Sequence, residues 1–169
     1  MTLSRRHVLA GFALVSAASC AGVGAVAASW WKQDALAPLV LLSTEEVSIF
    51  DAIAEAAYPE GGDPPIGGRR AGVGRWLDAV LRAMPEEQSA LLRLGLHALD
   101  ASTLVTHGAR FRALDTPTAT DALRGWLTSD LAELRGVAQS LTIFVGMGWF
   151  SHPEVAPLVA RHSTCGLGR

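Results

Sequence analysis

Apolar residues recur at helical spacing from residue 43 onward. Ser43-Thr44-Glu45-Glu46 has the pattern of a capping box, in which the first and last side chains each bind the other's backbone N–H group at a helix start. One apolar face follows, formed by Val47, Phe50, Ile53, Ala54 and Ala57. The pattern therefore predicts a first helix that ends at Pro59. The three Pro and five Gly of residues 59–72 predict a loop.

Two further predicted helices are separated by Pro85. The first is short and carries one apolar face, formed by Val73, Trp76, Leu77, Val80 and Leu81. The second opens at Pro85, because the first turn of a helix does not need the missing N–H group. Four of its residues are expected to face inward, namely Leu91, Leu92, Leu96 and Leu99. Polar residues around 102–108 are expected to end it.

The rest of the chain also shows helical periodicity. A turn at Phe111 and Leu114 precedes predicted helices over residues 116–127 and 130–145, and a short helix is predicted from Glu154. No stretch alternates apolar and polar residues with the enrichment in Val, Ile and Thr that marks a strand. The sequence therefore predicts an all-α fold, a compact helical domain of five or six helices.

The N-terminal residues have the pattern of an export signal. Ser4-Arg5-Arg6 is followed by apolar residues, as in a twin-arginine signal. The 24 residues from Val8 to Trp31 carry no charged side chain and are rich in Ala, Gly, Ser and Val. This modest hydrophobicity is typical of a signal peptide rather than of a stop-transfer helix.

Three fates of this leader remain open. Ala25-Val26-Ala27 matches the small-residue cleavage pattern of a signal peptidase. The apolar run is also long enough to stay as a membrane anchor, and Cys20 is a candidate for lipidation. All three place the folded part outside the cytoplasm. The chain is therefore divided into a signal or anchor at 1–31, a linker at 32–42 and a helical domain at 43–169.

Charge and composition exclude several kinds of partner. The formal net charge is −2, and it becomes more negative if Arg5 and Arg6 are removed with the leader. This balance argues against binding to nucleic acid or to anionic lipid. Cleavage would also leave Cys165 as the single cysteine, so an internal disulfide framework is excluded in a cleaved protein.

The chain carries no pattern of a catalytic or cofactor site. The histidines beyond the leader lack metal-ligand spacing and are expected in surface or capping roles: His97, His107, His152 and His162. No Cys-x-x-Cys-His motif for haem and no Gly-x-Ser-x-Gly elbow occurs. Gly67-Gly68-Arg69-Arg70 lacks the strand and the Lys-Ser/Thr of a phosphate loop, so a flexible, positively charged surface loop is expected. Glu45-Glu46 and Glu86-Glu87 complement helix dipoles.

One aromatic segment has two interpretations. Gly146-Met147-Gly148-Trp149-Phe150-Ser151-His152-Pro153 follows a very apolar helix. It is either a helix C-cap with its aromatic rings in the core, or a contact surface for a partner, where aromatic residues are enriched. Five residues are predicted at such an interface: Phe144, Trp149, Phe150, His152 and Pro153.

The order of these motifs resembles the gluconate 2-dehydrogenase subunit 3 family. The resemblance rests on Ser4-Arg5-Arg6, on Leu42 to Glu46 opening a helix that ends at Ala56 to Pro59, and on Ala71-Gly72-Val73. It continues with Arg110 to Leu114 and with Gly148 to Pro153. The sequence departs from the family pattern after Pro153. There it reads Glu154-Val155-Ala156-Pro157 instead of a Gly-rich, aromatic stretch.

The resemblance implies a non-catalytic small subunit. Such a subunit would escort a large FAD-dependent dehydrogenase subunit through the twin-arginine translocase to the periplasmic face of the inner membrane, and would stabilise it. A multihaem cytochrome c subunit often completes the complex, so FAD and haem c are expected in the partners and not in this chain. The alternative hypothesis is a stand-alone, membrane-anchored helical protein with a structural or interaction role.

Overall fold

The computed structural model describes residues 38–162, with side chains described up to residue 160. This part contains six helices and no strand, which confirms the predicted all-α domain. The helices are α1 (Thr44–Ala57), α2 (Val73–Leu81), α3 (Glu86–His107), α4 (Thr116–Leu127), α5 (Ala132–Phe150) and α6 (Ala156–His162). A 3-10 turn over Phe111–Ala113 links α3 to α4. No helix in this part of the chain is both long and apolar enough to cross a membrane.

Helix α1 lies at the centre of the bundle and packs against α2, α3, α4 and α5. Its capping box is formed as predicted, with the N–H of Glu46 donating to Ser43 Oγ at 3.2 Å and the N–H of Ser43 donating to Glu46 Oε2 at 2.8 Å. The core combines the buried α1 residues Ile49, Phe50 and Ile53 with large side chains of the neighbouring elements, including Leu77, Leu96, Leu99, Phe111, Leu141 and Val145.

Helices α3 and α5 are both longer than predicted. The expected break around residues 102–108 is wrong, because hydroxyl groups bind backbone carbonyls there: Ser102 Oγ donates to Leu99 O at 2.8 Å and Thr103 Oγ1 to Ala109 O at 2.8 Å. Gly108, with φ of 67°, ends the helix instead. The end predicted at Val145 is also wrong, because the glycines that follow lie inside α5.

The outward-facing side of α3 is more apolar than predicted. Leu96 and Leu99 are buried and Leu92 is half-buried, but Leu91 is 68% exposed and faces away from the core. Leu91 and Leu94 border a groove of about 610 Å³ between α3 and α5.

The predicted linker at 32–42 is anchored to the domain at its C-terminal end. The N–H groups of Val40, Leu41 and Leu42 donate to the Asp78 carboxylate at 3.0, 2.9 and 2.7 Å, and Leu42 is fully buried. Burial raises the pKa of Asp78, but these three donors outweigh it and leave the pKa below its ordinary value. The segment 40–42 therefore belongs to the helical domain. Residues 1–37 lie outside the described residues.

The loop between α1 and α2 packs closely on α1. Gly67 and Gly68 are buried, while Arg69 and Arg70 are exposed. A Cβ atom on Gly68 would lie 2.2 Å from the backbone of Ala54, so only glycine fits there. The sequence predicted a flexible, positively charged surface loop. Arg69 and Arg70 are exposed as predicted, whereas Gly67 and Gly68 are buried against the core.

A buried ion pair joins α1 to α3. Glu46 Oε1 accepts from Arg93 Nε at 2.7 Å and lies 3.3 Å from His97 Nε2. Glu46 and His97 are each 1% exposed, so the expected surface or capping role of His97 is wrong. The partner of His97 is 51 positions away in sequence, and local spacing could not reveal it. Burial raises the pKa of Glu46, but the contacts with His97, Arg93 and Ser43 outweigh it and hold the pKa at about 2.

Replacing Glu46 by Gln is expected to lower the free energy of unfolding at pH 7 by about 3 kcal/mol, because Arg93 would lose the buried carboxylate it contacts. The folded-state pKa lies below the unfolded value, so this stabilisation is present above about pH 4.5 and is lost as the pH falls toward about 2. Urea unfolding at several pH values measures it, with Glu86→Gln as the exposed control. A difference between wild type and Glu46→Gln that stays constant across this range would contradict the assignment.

Candidate partner-binding surface

The C-terminal half of α5 is positioned by a close approach of α2. A Cβ atom on Gly148 would lie 2.4 Å from Val73 Cγ1 and 2.8 Å from Trp76 Cε3. Glycine at this position therefore allows α2 to pack directly on the backbone of α5. Successive residues of a helix point about 100° apart, so this packing sends Trp149 inward and leaves Phe150 outside.

Trp149 is a core residue. It is 4% exposed, its Nε1 donates to Ile66 O at 2.8 Å, and its ring stacks on Tyr58 with centroids 4.1 Å apart and planes within 7°. This arrangement matches the buried-aromatic interpretation of the segment. The assignment of Trp149 to a partner interface stays a prediction, since this residue is almost fully covered within the chain.

The large apolar residues of α5 that are exposed form a stripe, Ile143, Met147 and Phe150, which we call the Phe150 face. They are 61%, 51% and 45% exposed and lie at positions i, i+4 and i+7 of the helix. The Phe150 ring meets Trp149 edge-to-face at 5.2 Å and Tyr58 at 6.0 Å, which fixes its orientation. A large, oriented and exposed aromatic residue is typical of an interface anchor.

A hollow lies on each side of the Phe150 ring. One, of about 670 Å³, is bordered mainly by Leu127, Ile143 and Met147. The other, of about 410 Å³, is lined by Tyr58, Asp63, Pro64, Trp149, Phe150, Leu158 and Val159. Tyr58 and Phe150 border both hollows, so the Phe150 side chain projects between two recesses like a knob. A surface of this shape can interlock with side chains of another protein.

The other predicted interface residues are not brought together. Phe144 is half-buried and lines the groove between α3 and α5 instead. His152 and Pro153 follow the end of α5: the N–H of His152 donates to Trp149 O at 3.1 Å, and Pro153 is exposed. Their assignment to an interface stays a prediction. Ile143 and Met147 were not predicted at an interface, although their spacing from Phe150 along the helix could have indicated the face.

The described part of the chain contains neither a cluster of metal ligands nor the predicted export residues. Within the described residues, no three His, Cys, Asp or Glu side chains are grouped so that they could hold a metal ion. The predicted export residues Ser4, Arg5 and Arg6 lie outside the described residues, as do Cys20 and Cys165.

Comparison with protein families identifies the class of this helical domain. The family model described as gluconate 2-dehydrogenase subunit 3 matches residues 44–156, from the start of α1 to the start of α6. The chain belongs to the gluconate 2-dehydrogenase subunit 3 family. The match spans the Phe150 face, so this surface is carried by the part of the chain that defines the family. No curated protein and no solved structure gave a match.

Two glycines of α5 give a matched test of this packing. Gly148→Ala is expected to lower the free energy of unfolding by about 1–3 kcal/mol, because the new methyl group would overlap Val73 and Trp76. Gly136→Ala meets no atom within 4 Å and is expected to raise stability by about 0.5–1 kcal/mol through helix propensity. Urea unfolding measures both. Equal stabilisation by the two changes would contradict the close approach of α2 to α5.

Proposed function

We propose that this chain is a non-catalytic small subunit that binds and stabilises a large FAD-dependent dehydrogenase subunit through its Phe150 face. Membership of a dehydrogenase subunit family supports a role inside a complex. The observation that carries the proposal is the C-terminal half of α5, where the three large apolar side chains of the Phe150 face are exposed to water.

The composition of α5 favours a helix buried in a larger assembly. Its inward residues Leu141, Val145 and Trp149 are in the core, and from residue 141 onward its exposed residues are again apolar. A helix segment that is apolar on most of its circumference is normally covered on all sides. Covering the exposed half of side chains of this size yields about 1 kcal/mol each, so the Phe150 face can contribute a large part of the binding energy.

The polar groups of the domain support a structural role. Asp78 binds the segment 40–42, and Glu46 binds Arg93. Asp100 accepts from Arg110 Nη1 at 3.0 Å and from the N–H of Arg112 at 3.1 Å. Each of these buried carboxylates holds one chain segment against another. We therefore assign FAD and the reaction to the large subunit, and haem c to a cytochrome c subunit where one is present.

The proposal includes export by the twin-arginine route. Ser4-Arg5-Arg6 and the uncharged run after it are the features that support this part. Proteins that fold before export use this route, and a small subunit with such a signal can carry a folded partner that has none. The complex would then act at the periplasmic face of the inner membrane, either released by cleavage or held by the retained leader.

Phe150→Ala is expected to lower the amount of large subunit recovered with the tagged chain at least tenfold, because truncation removes an anchor residue from the interface. The measurement is affinity purification from the native membrane fraction, with the flavin and haem absorbance of the eluate as readout. Val105→Ala is the matched control, because Val105 is an apolar residue that is 92% exposed on another helix.

Equal recovery with Phe150→Ala and with wild type would contradict the Phe150 interface. A wild-type eluate that contains this chain alone, without flavin or haem, would instead favour the stand-alone anchored protein.

Arg5→Lys combined with Arg6→Lys is expected to abolish export of this chain and of the large subunit together. The twin-arginine translocase reads the arginine pair, and lysine keeps only its charge. Fractionation followed by immunoblotting for both chains measures the outcome. Normal export of the large subunit alongside a retained small subunit would contradict the escort role but not the interface.

A further inference from the structure

The smaller of the two hollows beside Phe150 combines aromatic walls with one carboxylate. Tyr58, Trp149 and Phe150 contribute rings, Pro64, Leu158 and Val159 contribute apolar atoms, and Asp63 contributes the only acidic group of its lining. We call this recess the Asp63 hollow. It lies on the edge of the Phe150 face, since Phe150 borders both.

Asp63 forms no ion pair within the described residues. It is exposed. Of the two loop arginines, Arg70 lies with its Nη1 3.7 Å from Glu60 Oε1, and the charge of Arg69 acts on Asp51. The exposed carboxylate at the rim can accept hydrogen bonds from another molecule.

The wall and the rim together select the chemistry of the occupant. An apolar side chain would fill the hollow but would remove water from Asp63 without replacing its hydrogen bonds, and burying such a group is unfavourable. An anion would be repelled by the carboxylate. A cationic side chain satisfies both parts, because its stem and charged head pack on aromatic rings while the head binds the carboxylate.

Arginine fits this arrangement better than lysine. Its planar guanidinium group stacks on aromatic side chains and forms two parallel hydrogen bonds to a carboxylate, and it is less strongly hydrated than an ammonium group. Phe150, being 45% exposed, offers accessible ring surface next to Asp63 across the same hollow.

We propose that the large dehydrogenase subunit inserts an arginine side chain into the Asp63 hollow, with its guanidinium group bound to Asp63 and packed beside Phe150. This inference rests on the proposed function, because it names the partner chemistry that the edge of the Phe150 face recognises. The aromatic knob supplies apolar contact area, and the Asp63–arginine pair selects the orientation of the partner.

The test uses the complex purified through the tagged full-length chain. Asp63→Asn is expected to weaken binding of the large subunit about tenfold, because the arginine would be covered without its anionic partner. Binding of the wild type is also expected to fall more steeply than that of Asp63→Asn between about 0.05 M and 0.5 M salt. Asp121→Asn is the matched control, since it removes an exposed carboxylate whose surface pair with Arg124 contributes little.

A charge exchange identifies the partner residue. Asp63→Arg is expected to abolish the complex, and a single Arg→Asp change on the surface of the large subunit is expected to restore it. Rescue by one such position, and not by others, supports the pair directly. Thermal unfolding of the isolated Asp63 variants checks that they fold like the wild type.

The possible failures are distinguishable. Wild-type affinity and salt dependence in Asp63→Asn, together with weak binding by Phe150→Ala, would overturn the arginine inference and leave the proposed interface intact. Wild-type binding by both variants would overturn both. Asp63→Asn could instead change the self-association of the isolated chain and leave binding of the large subunit unchanged. That result would mean that a second copy of this chain fills the hollow, and it would also overturn the inference.

Discussion

Burial of α1 by four other helices is the interaction on which the rest of the fold depends. Ile49, Phe50 and Ile53 on this helix are fully buried, and α2, α3, α4 and α5 all pack against it. Each surrounding helix therefore needs only one apolar side to complete the core. The capping box at Ser43 and the ion pair from Glu46 to Arg93 fix the start of α1, so the helix can neither slide nor rotate freely among its neighbours.

Helix α5, like α3, is apolar on more than the side that faces α1. Gly148 brings its C-terminal half so close to α2 that Trp149 is forced into the core. The next residue, Phe150, is then left outside, with Ile143 and Met147 above it along the helix. The exposed face is thus a consequence of how the core is packed. We propose this face as the binding site of the large subunit.

Three acidic residues of this domain differ from Asp63 in their surroundings. Glu46, Asp78 and Asp100 are buried and fully engaged in holding chain segments together. Asp63 is exposed beside aromatic rings and forms no ion pair within the described residues. A buried carboxylate contributes to stability only with its partners in place, whereas an exposed one is free to contribute to recognition. The three buried carboxylates therefore stabilise the fold, whereas we assign the exposed Asp63 carboxylate to partner binding.

The sequence by itself determined the helical class, most helix starts and the family. These features depend on local chemistry: Ser43 and Glu46 are three residues apart, Pro85 precedes a helix, and apolar residues repeat every three to four positions. Only the tertiary structure decided where α5 ends, which of Trp149 and Phe150 is exposed, and that His97 is buried beside Glu46. These outcomes depend on contacts between residues far apart in the chain. Spacing along one helix carries no information about the helix that packs against it, and for that reason the exposed ring and the Asp63 hollow could be located only in the folded domain.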